Sequence, residues 1–424
     1  MPLSLSSFGQ KFTGESGILQ LMDDLGQAAS QPGVIMLGGG NPAHIPAVQA
    51  TFRDAMARIL DSEHDFEDLI SAYAAPQGDT TFTTALASLL QREYGWPIGP
   101  EHIALTNGSQ TAFFMLFNLF AGRQPDGSFK RILLPLAPEY IGYADAGLDP
   151  DLFIAQPARI DILADHTFKY RIDFDNLTIT PDIAAICLSR PTNPSGNVIT
   201  DAELARLTDL ARKHNIPLIV DNAYGLPFPG IIFTDARPHW QPGIILSMSL
   251  SKLGLPALRT GILIADPEII RAITALNAII SLTPGSFGPH LALDAIRTGS
   301  VLTLSHEVIR PCYHARAQHT VELLHAALPT DSHWYIHQPE GAIFLWLWFP
   351  DLPITAAEFY ARLKARGVLL VPGHYFFPGL KNPWNHQHQC LRLNYATDPA
   401  KVERGVAILA EEYRRALSVT PSGA

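Results

Sequence analysis

Lys252 stands in Ser249-Leu-Ser-Lys252, directly after an apolar strand-like run and with Arg259 close behind. A nearby cation and partial burial both disfavour the ammonium form, and an amine freed near neutral pH is a nucleophile suited to imine chemistry. The rival is a solvated surface lysine, and the neighbours decide between them. Asp221 ends the run Pro217 to Val220, where a carboxylate is costly unless it has a partner. That partner is either a protonated pyridine-type nitrogen, which would make the ring an electron sink, or the N–H groups of a helix that Asp221 caps. Pro191-Thr-Asn-Pro-Ser-Gly196 fixes its backbone with prolines and a glycine and so presents Asn193 at a set position. Thr106-Asn-Gly-Ser-Gln110 lies between a strand and an apolar helix, where free N–H groups and a hydroxyl make a seat for phosphate. Arg392, inside the apolar strand Leu391 to Tyr395, needs an anion: an internal carboxylate, or that of a substrate gripped by both prongs of the guanidinium.

The elements that must position these groups follow from the hydrophobic pattern. From about residue 50 to 300, strand-like runs alternate with amphipathic helices, which predicts a mainly parallel, seven-stranded-type sheet flanked by helices in a large α/β domain. Its strands are expected at His102 to Thr106, Arg131 to Pro135, Ile183 to Ser189, Pro217 to Asp221, Gly243 to Met248 and Gly261 to Ala265. Asn107, Arg190, Asp221 and Ser249 then fall near carboxyl ends, where open α/β sheets bind ligands. Residues 301–424 read as a smaller α+β domain: a long helix Val301 to Leu328, strands at Ala342 to Phe349, Val368 to Val371 and Cys390 to Asn394, and a helix from Pro399. Residues 1–50, with a helical stretch Gly17 to Ala29 and a Gly38 to Pro42 turn, are too little for a domain and are expected to form an arm and part of the smaller one.

Composition narrows the function. A formal charge of −10 with no Lys/Arg block argues against nucleic acid, and no apolar run reaches the roughly 18 residues of a membrane span. Only 17% of residues are charged against 47% hydrophobic, a balance that suits a surface partly covered by another subunit. Cys187, Cys312 and Cys390 are scattered and odd in number, which suits a reducing compartment, and no leader is visible; the cytoplasm is the expected setting.

Taken in order, Asn193 in Pro-Thr-Asn-Pro-Ser-Gly, Asp221 with Tyr224, Ser249-Leu-Ser-Lys252 with Arg259, and Arg392 resemble the signature of the class I and II aminotransferases of pyridoxal-phosphate (PLP) fold type I. The resemblance runs from Gly38 to Arg392. It implies that Lys252 is the Schiff-base lysine and proton carrier, that Asp221 pairs with the pyridine nitrogen, and that Asn193 and Tyr224 bind the phenolic oxygen. Tyr140 would stack on the ring. Gly108, Ser109 and Gln110 would seat the phosphate with Ser249 and Arg259, and Tyr73 would reach it from a second subunit, making the protein a homodimer with shared sites. Arg392 would take the substrate α-carboxylate, helped by Asn193 and the backbone around Gly39. The interval from Lys252 to Arg259 is a residue shorter than in the wider family. Met36 to Pro46, Ala137 to Gly147, Asp221-Asn-Ala-Tyr-Gly and Glu340 to Trp346 look like a branch that exchanges L-valine and pyruvate for 3-methyl-2-oxobutanoate and L-alanine.

With no second arginine evident for a dicarboxylate, neutral side chains are expected in the substrate, and Ile18, Tyr143 and Phe344 are candidates to wall their pocket. The rivals are exchange of other neutral or aromatic amino acids, carbon–sulfur β-elimination on the same fold, and a non-catalytic regulator, for which the chain offers no basic helix-turn-helix. His374, His386 and His388 do not match a zinc spacing, and no metal is expected.

Overall fold

The computed structural model describes residues 4–31 and 33–418. Its larger sheet has the strand order Ile103–Thr106, Gly261–Ile264, Ile244–Ser249, Leu218–Asp221, Ile183–Ser189 and Phe129–Ala137, with Phe153–Pro157 and the two-residue Gly122–Arg123 both on the outer side of the last. Gly261–Ile264 and Gly122–Arg123 run antiparallel and the rest are parallel. Leu218–Asp221, Ile244–Ser249 and Ile183–Ser189 are buried almost throughout, as strands covered on both faces must be. Their side chains alternate between two cores: Ala185, Cys187, Ile219 and Ile245 pack with Phe113 and Phe117 of the helix Ser109–Phe120, while Ile186, Leu188, Leu218, Val220, Leu246 and Met248 face a larger core shared with the second sheet. The helix Asp201–Lys213 shows why local sequence sufficed for many elements: Thr200 and Glu203 form a reciprocal capping box, and Arg212 and Lys213 close its last turn.

The second sheet has the order Val371–Pro372, Cys390–Asn394, Phe344–Trp348, Tyr335–His337, Thr167–Arg171 and Arg159–Ile162. Its last two strands come from the middle of the span expected to build only the larger domain. Thr167–Arg171 reaches this sheet by a parallel pairing with Tyr335–His337, a non-local contact that leaves no trace in local periodicity. The expected long helix is a continuous helical run from Ser300 to Ala327, with one wide turn over Leu304–Ile309. Ile35–Met36 pairs in parallel with Val368–Leu369, so the glycines that follow it arrive beside the strand carrying Arg392.

Candidate active site

Ser189, Asp221 and Ser247 are in register across three parallel strands, so the loops that leave those strands converge on one edge. Asp221 is 8% exposed. Its Oδ2 accepts a hydrogen bond from the Tyr143 hydroxyl at 2.8 Å and its Oδ1 one from the Ala223 N–H at 3.1 Å. Burial raises its pKa to about 6 against the pull of those donors and of the Lys252 ammonium. Lys252 Nζ donates to the Gly40 carbonyl at 2.5 Å and lies 5.3 Å from the centre of the Tyr224 ring. Burial, followed by Arg392 and Arg259, lowers its pKa to about 8, with Asp221 opposing. This is the electropositive, desolvated setting that frees an amine near neutral pH.

The turn Gly38 to Gly40 presents three successive carbonyls to the site. Gly38 O accepts from Arg392 Nη2 at 2.6 Å, Gly39 O from the Asn394 amide and Gly40 O from Lys252. Arg392 is 1% exposed and its Nη1 donates to Asn193 Oδ1 at 2.7 Å. Its guanidinium lies over Phe344 at 4.1 Å and Phe376 at 5.1 Å, and its buried Nε has no hydrogen-bond partner among the described residues. Burial lowers its pKa to about 10. Asn193 and Tyr224 are both buried. Burial moves the Tyr224 hydroxyl pKa up.

Gly108 adopts φ +84° before the helix Ser109–Phe120, and a Cβ there would collide with the Arg259 guanidinium. Ser109 and Gln110 open that helix, so their N–H groups lack intrahelical acceptors. Arg259 itself is left-handed, φ +47°, and its Nη1 donates to Ser251 Oγ at 3.3 Å and Pro256 O at 3.1 Å. The short interval after Lys252 is thus accommodated by a backbone twist that turns the guanidinium back over Gly108. Ser249 Oγ is within 3.3 Å of Thr260 O and accepts from the Ser251 N–H. The Gln110 side chain is turned to Gly142 O, so Gln110 faces the seat only through its backbone. Tyr140 packs edge-on to Tyr143 with ring centres 5.4 Å apart. Tyr73 is 83% exposed and is not brought to these residues within the chain.

Three expectations, on Tyr143, Phe344 and Arg190, need correction. Tyr143 does not wall a substrate pocket: it is fully buried and tied to Asp221. Phe344, also fully buried, lies beneath Arg392. Arg190, although at a strand end, points away and pairs with Asp201 and the Ile199 carbonyl. His386 is buried against Tyr170 and Cys390, and no group of three or more potential ligands among the described residues is placed to hold a metal. Sequence reasoning pointed to the backbone around Gly39 but passed over Asn394, which holds that turn. It also missed the hydrogen bond from Tyr143 to Asp221, for which sequence spacing gives no signal.

The sequence model of the family described as aminotransferase class I and II matches residues 32–409, and the chain belongs to that family. The cofactor that membership of this family implies is pyridoxal 5′-phosphate. Over 414 residues, 98% of this chain and 99% of the relative, it is 56% identical to the valine–pyruvate aminotransferase of Escherichia coli (strain K12). The crystal structure of valine–pyruvate aminotransferase from Salmonella typhimurium LT2 superposes with a TM-score of 0.88 at 55% identity, covering 95% of this chain and 100% of that one. A kynurenine aminotransferase from Pyrococcus horikoshii, solved in complex with PMP, shares the fold at 21% identity, with a TM-score of 0.78 and 97% of each chain covered. Among the described residues no helix is long and apolar enough to cross a membrane.

The residues present fit the cofactor. The Arg259 guanidinium packed against Gly108, with helix N–H groups and Ser249 beside it, is a donor set for a phosphate dianion, and the buried Asp221 carboxylate is matched to a cationic ring nitrogen. The hydrogen bond from Tyr143 favours the ionised form of Asp221, so Tyr143→Phe is expected to raise the Asp221 pKa further above about 6. A hydrogen bond to a charged group contributes about 1.5–3 kcal/mol, or roughly one to two pK units. In PLP titrations of the apoprotein, the pH below which affinity falls should move upward by that amount. An unchanged break would mean that Asp221 does not set it.

Proposed function

We propose that the protein transfers an amino group between a neutral aliphatic L-amino acid and a 2-oxo acid, in the reaction L-valine + pyruvate = 3-methyl-2-oxobutanoate + L-alanine. The observation that carries this reading is the combination of a buried, unsaturated Arg392, resting on Phe344 and Phe376, with the low-pKa amine of Lys252 on the other side of the glycine turn. Bound PLP supplies a carbonyl that takes up the amino group and a ring that withdraws the electrons left when Cα loses its proton. Arg392, with Asn193, grips the substrate carboxylate and fixes the direction of the Cα–H bond. Lys252 Nζ serves as nucleophile and then carries a proton between Cα and the cofactor, with Gly40 O orienting it. Asp221, held by Tyr143, would keep the ring nitrogen of bound PLP protonated; Asn193 and Tyr224 would hold its phenolic oxygen, and Tyr140 would cover its ring. Gly108, Ser109, Gln110, Ser249 and Arg259 seat the phosphate.

Two further parts of the reading concern assembly and setting. Tyr73, Ile70, Ile279 and Leu282 are large and exposed, and Asn277 joins their two segments by donating to Pro76 O at 2.8 Å. An apolar patch of this kind supports a homodimer in which Tyr73 enters the neighbouring site. Residues 1–50 and 301–424 are taken as the smaller domain and its arm and 51–300 as the larger, with the strands between Arg159 and Arg171 lent to the smaller. The unpaired cysteines support a reducing cytoplasm.

The test is the visible spectrum of the PLP-loaded protein on adding L-valine and then pyruvate: the band should bleach with the first and return with the second. With L-glutamate as donor, kcat/KM is expected to be lower by at least about 10²-fold, because a second carboxylate would be desolvated with no second arginine to receive it. A preference for glutamate would remove the apolar-pocket reading. Sulfide release from L-cysteine faster than amino transfer would replace the reaction itself.

A further inference from the structure

Lys169 is 3% exposed and belongs to the second sheet. All three of its ammonium protons have acceptors: Asn197 Oδ1 at 2.9 Å, the Val198 carbonyl at 3.2 Å and the Glu340 carboxylate. Glu340 Oε2 also accepts the Val198 N–H at 2.8 Å, while the Glu340 carbonyl accepts the Phe233 N–H at 2.7 Å. The ion pair therefore ties the end of the loop that carries Asn193 to the strip that leads into Phe344. The two strips also touch backbone to backbone. A Cβ on Gly196 would come within 2.7 Å of Gly341 O, and one on Gly341 within 2.6 Å of the Pro191 ring and of Ile231 O. No sliding of one strip over the other is possible without breaking the pair.

Asn193 and Phe344 are two of the supports of Arg392, one accepting from Nη1 and the other lying under the guanidinium, beside Gly38 O and Phe376. We propose that Lys169 and Glu340 are positioning residues for substrate binding: their buried ion pair fixes Asn193 relative to Phe344 and so holds Arg392 in the orientation that receives the substrate carboxylate. The inference rests on the reading that Arg392 takes that carboxylate. A buried pair of this kind adds little net stability over apolar replacements of similar volume, so its effect is on geometry. That is also what makes it testable, because Lys169→Met/Glu340→Leu removes the pair without leaving a lone buried charge.

The experiment uses the PLP-loaded enzyme and measures, for the double variant and for Glu340→Ala, the melting temperature, kcat and KM for valine and pyruvate, and the calorimetric Kd of 3-methylbutanoate, which has a carboxylate but no group to exchange. We expect KM for both substrates and Kd for the probe to rise about tenfold, the equivalent of one charge-assisted hydrogen bond, with kcat within about twofold of the parent. Arg392→Lys is the control. Parent-like Kd and KM in either folded variant, alongside weakened probe binding in Arg392→Lys, overturn the positioning role alone. Parent-like probe binding in Arg392→Lys overturns the carboxylate reading, and the positioning role with it. A fall in kcat and melting temperature with unchanged KM marks the pair as purely structural and also overturns the proposal.

Discussion

Lys252→Ala is expected to lower kcat for valine–pyruvate exchange by about 10⁴-fold, the upper range for losing a positioned general acid–base, while the protein stays folded and still takes up PLP. The folded state tolerates the change because Lys252 makes a single hydrogen bond among the described residues, to Gly40 O, and is a half-buried cation held near two others, Arg392 and Arg259. Removing it relieves that repulsion. The phosphate seat and Asp221 are untouched, so cofactor uptake measured by equilibrium dialysis should change far less than turnover. The pKa of about 8 further implies that, in the protein before PLP is bound, roughly a tenth of the Lys252 side chains are free amine at pH 7, so the reaction with the cofactor carbonyl should quicken up to about pH 8. Stopped-flow single-turnover rates settle the matter: a variant within about tenfold of the parent would transfer the proton-carrying role to another group.

Arg392→Lys should lower kcat/KM by about 10²- to 10³-fold, the range found when one partner of a buried charge-assisted contact is removed. Lysine keeps the charge but not the planar fork. With three donors, two of them claimed by Gly38 O and Asn193 Oδ1, it keeps at most one for the substrate and cannot grip the carboxylate with two, and it loses the flat packing on Phe344. The loss should fall mainly on KM for the amino acid and the oxo acid alike, since both carry the same carboxylate. Steady-state kinetics with valine and with pyruvate as varied substrates provides the check. A loss confined to one of them would mean that Arg392 reads the side chain instead.

The sequence was most informative where function coincides with the ends of strands. Apolar runs of four to seven residues located Ile183–Ser189 and Leu218–Asp221, and the polar residue closing each was visible because it broke the run. The same logic misjudged Arg190, because a strand-end residue can turn either way and only the fold reveals that Asp201 claims it. Spacing could not show that Tyr143 lies behind Asp221, 78 residues away, or that Glu340 meets Lys169 across 171. These contacts arise from closing loops whose ends carry no mutual signal. Arg159–Ile162 was missed for a different reason: its residues are exposed or half-buried at a sheet edge, so no apolar stripe marks it.

The pairing of Ile35–Met36 with Val368–Leu369 has a consequence for biosynthesis. Both strands are two residues long and neither has another partner, so the glycine turn cannot settle until the segment around residue 368 has emerged from the ribosome. Arg392 follows later still. A nascent chain can assemble the large sheet early, with Lys252 and Asp221 already placed, yet it holds no carboxylate grip until synthesis is nearly complete. Reactive amine and substrate recognition are thus separated in time by the order of the sequence itself, and a chain cut short before Arg392 has the nucleophile without the means to orient what it attacks.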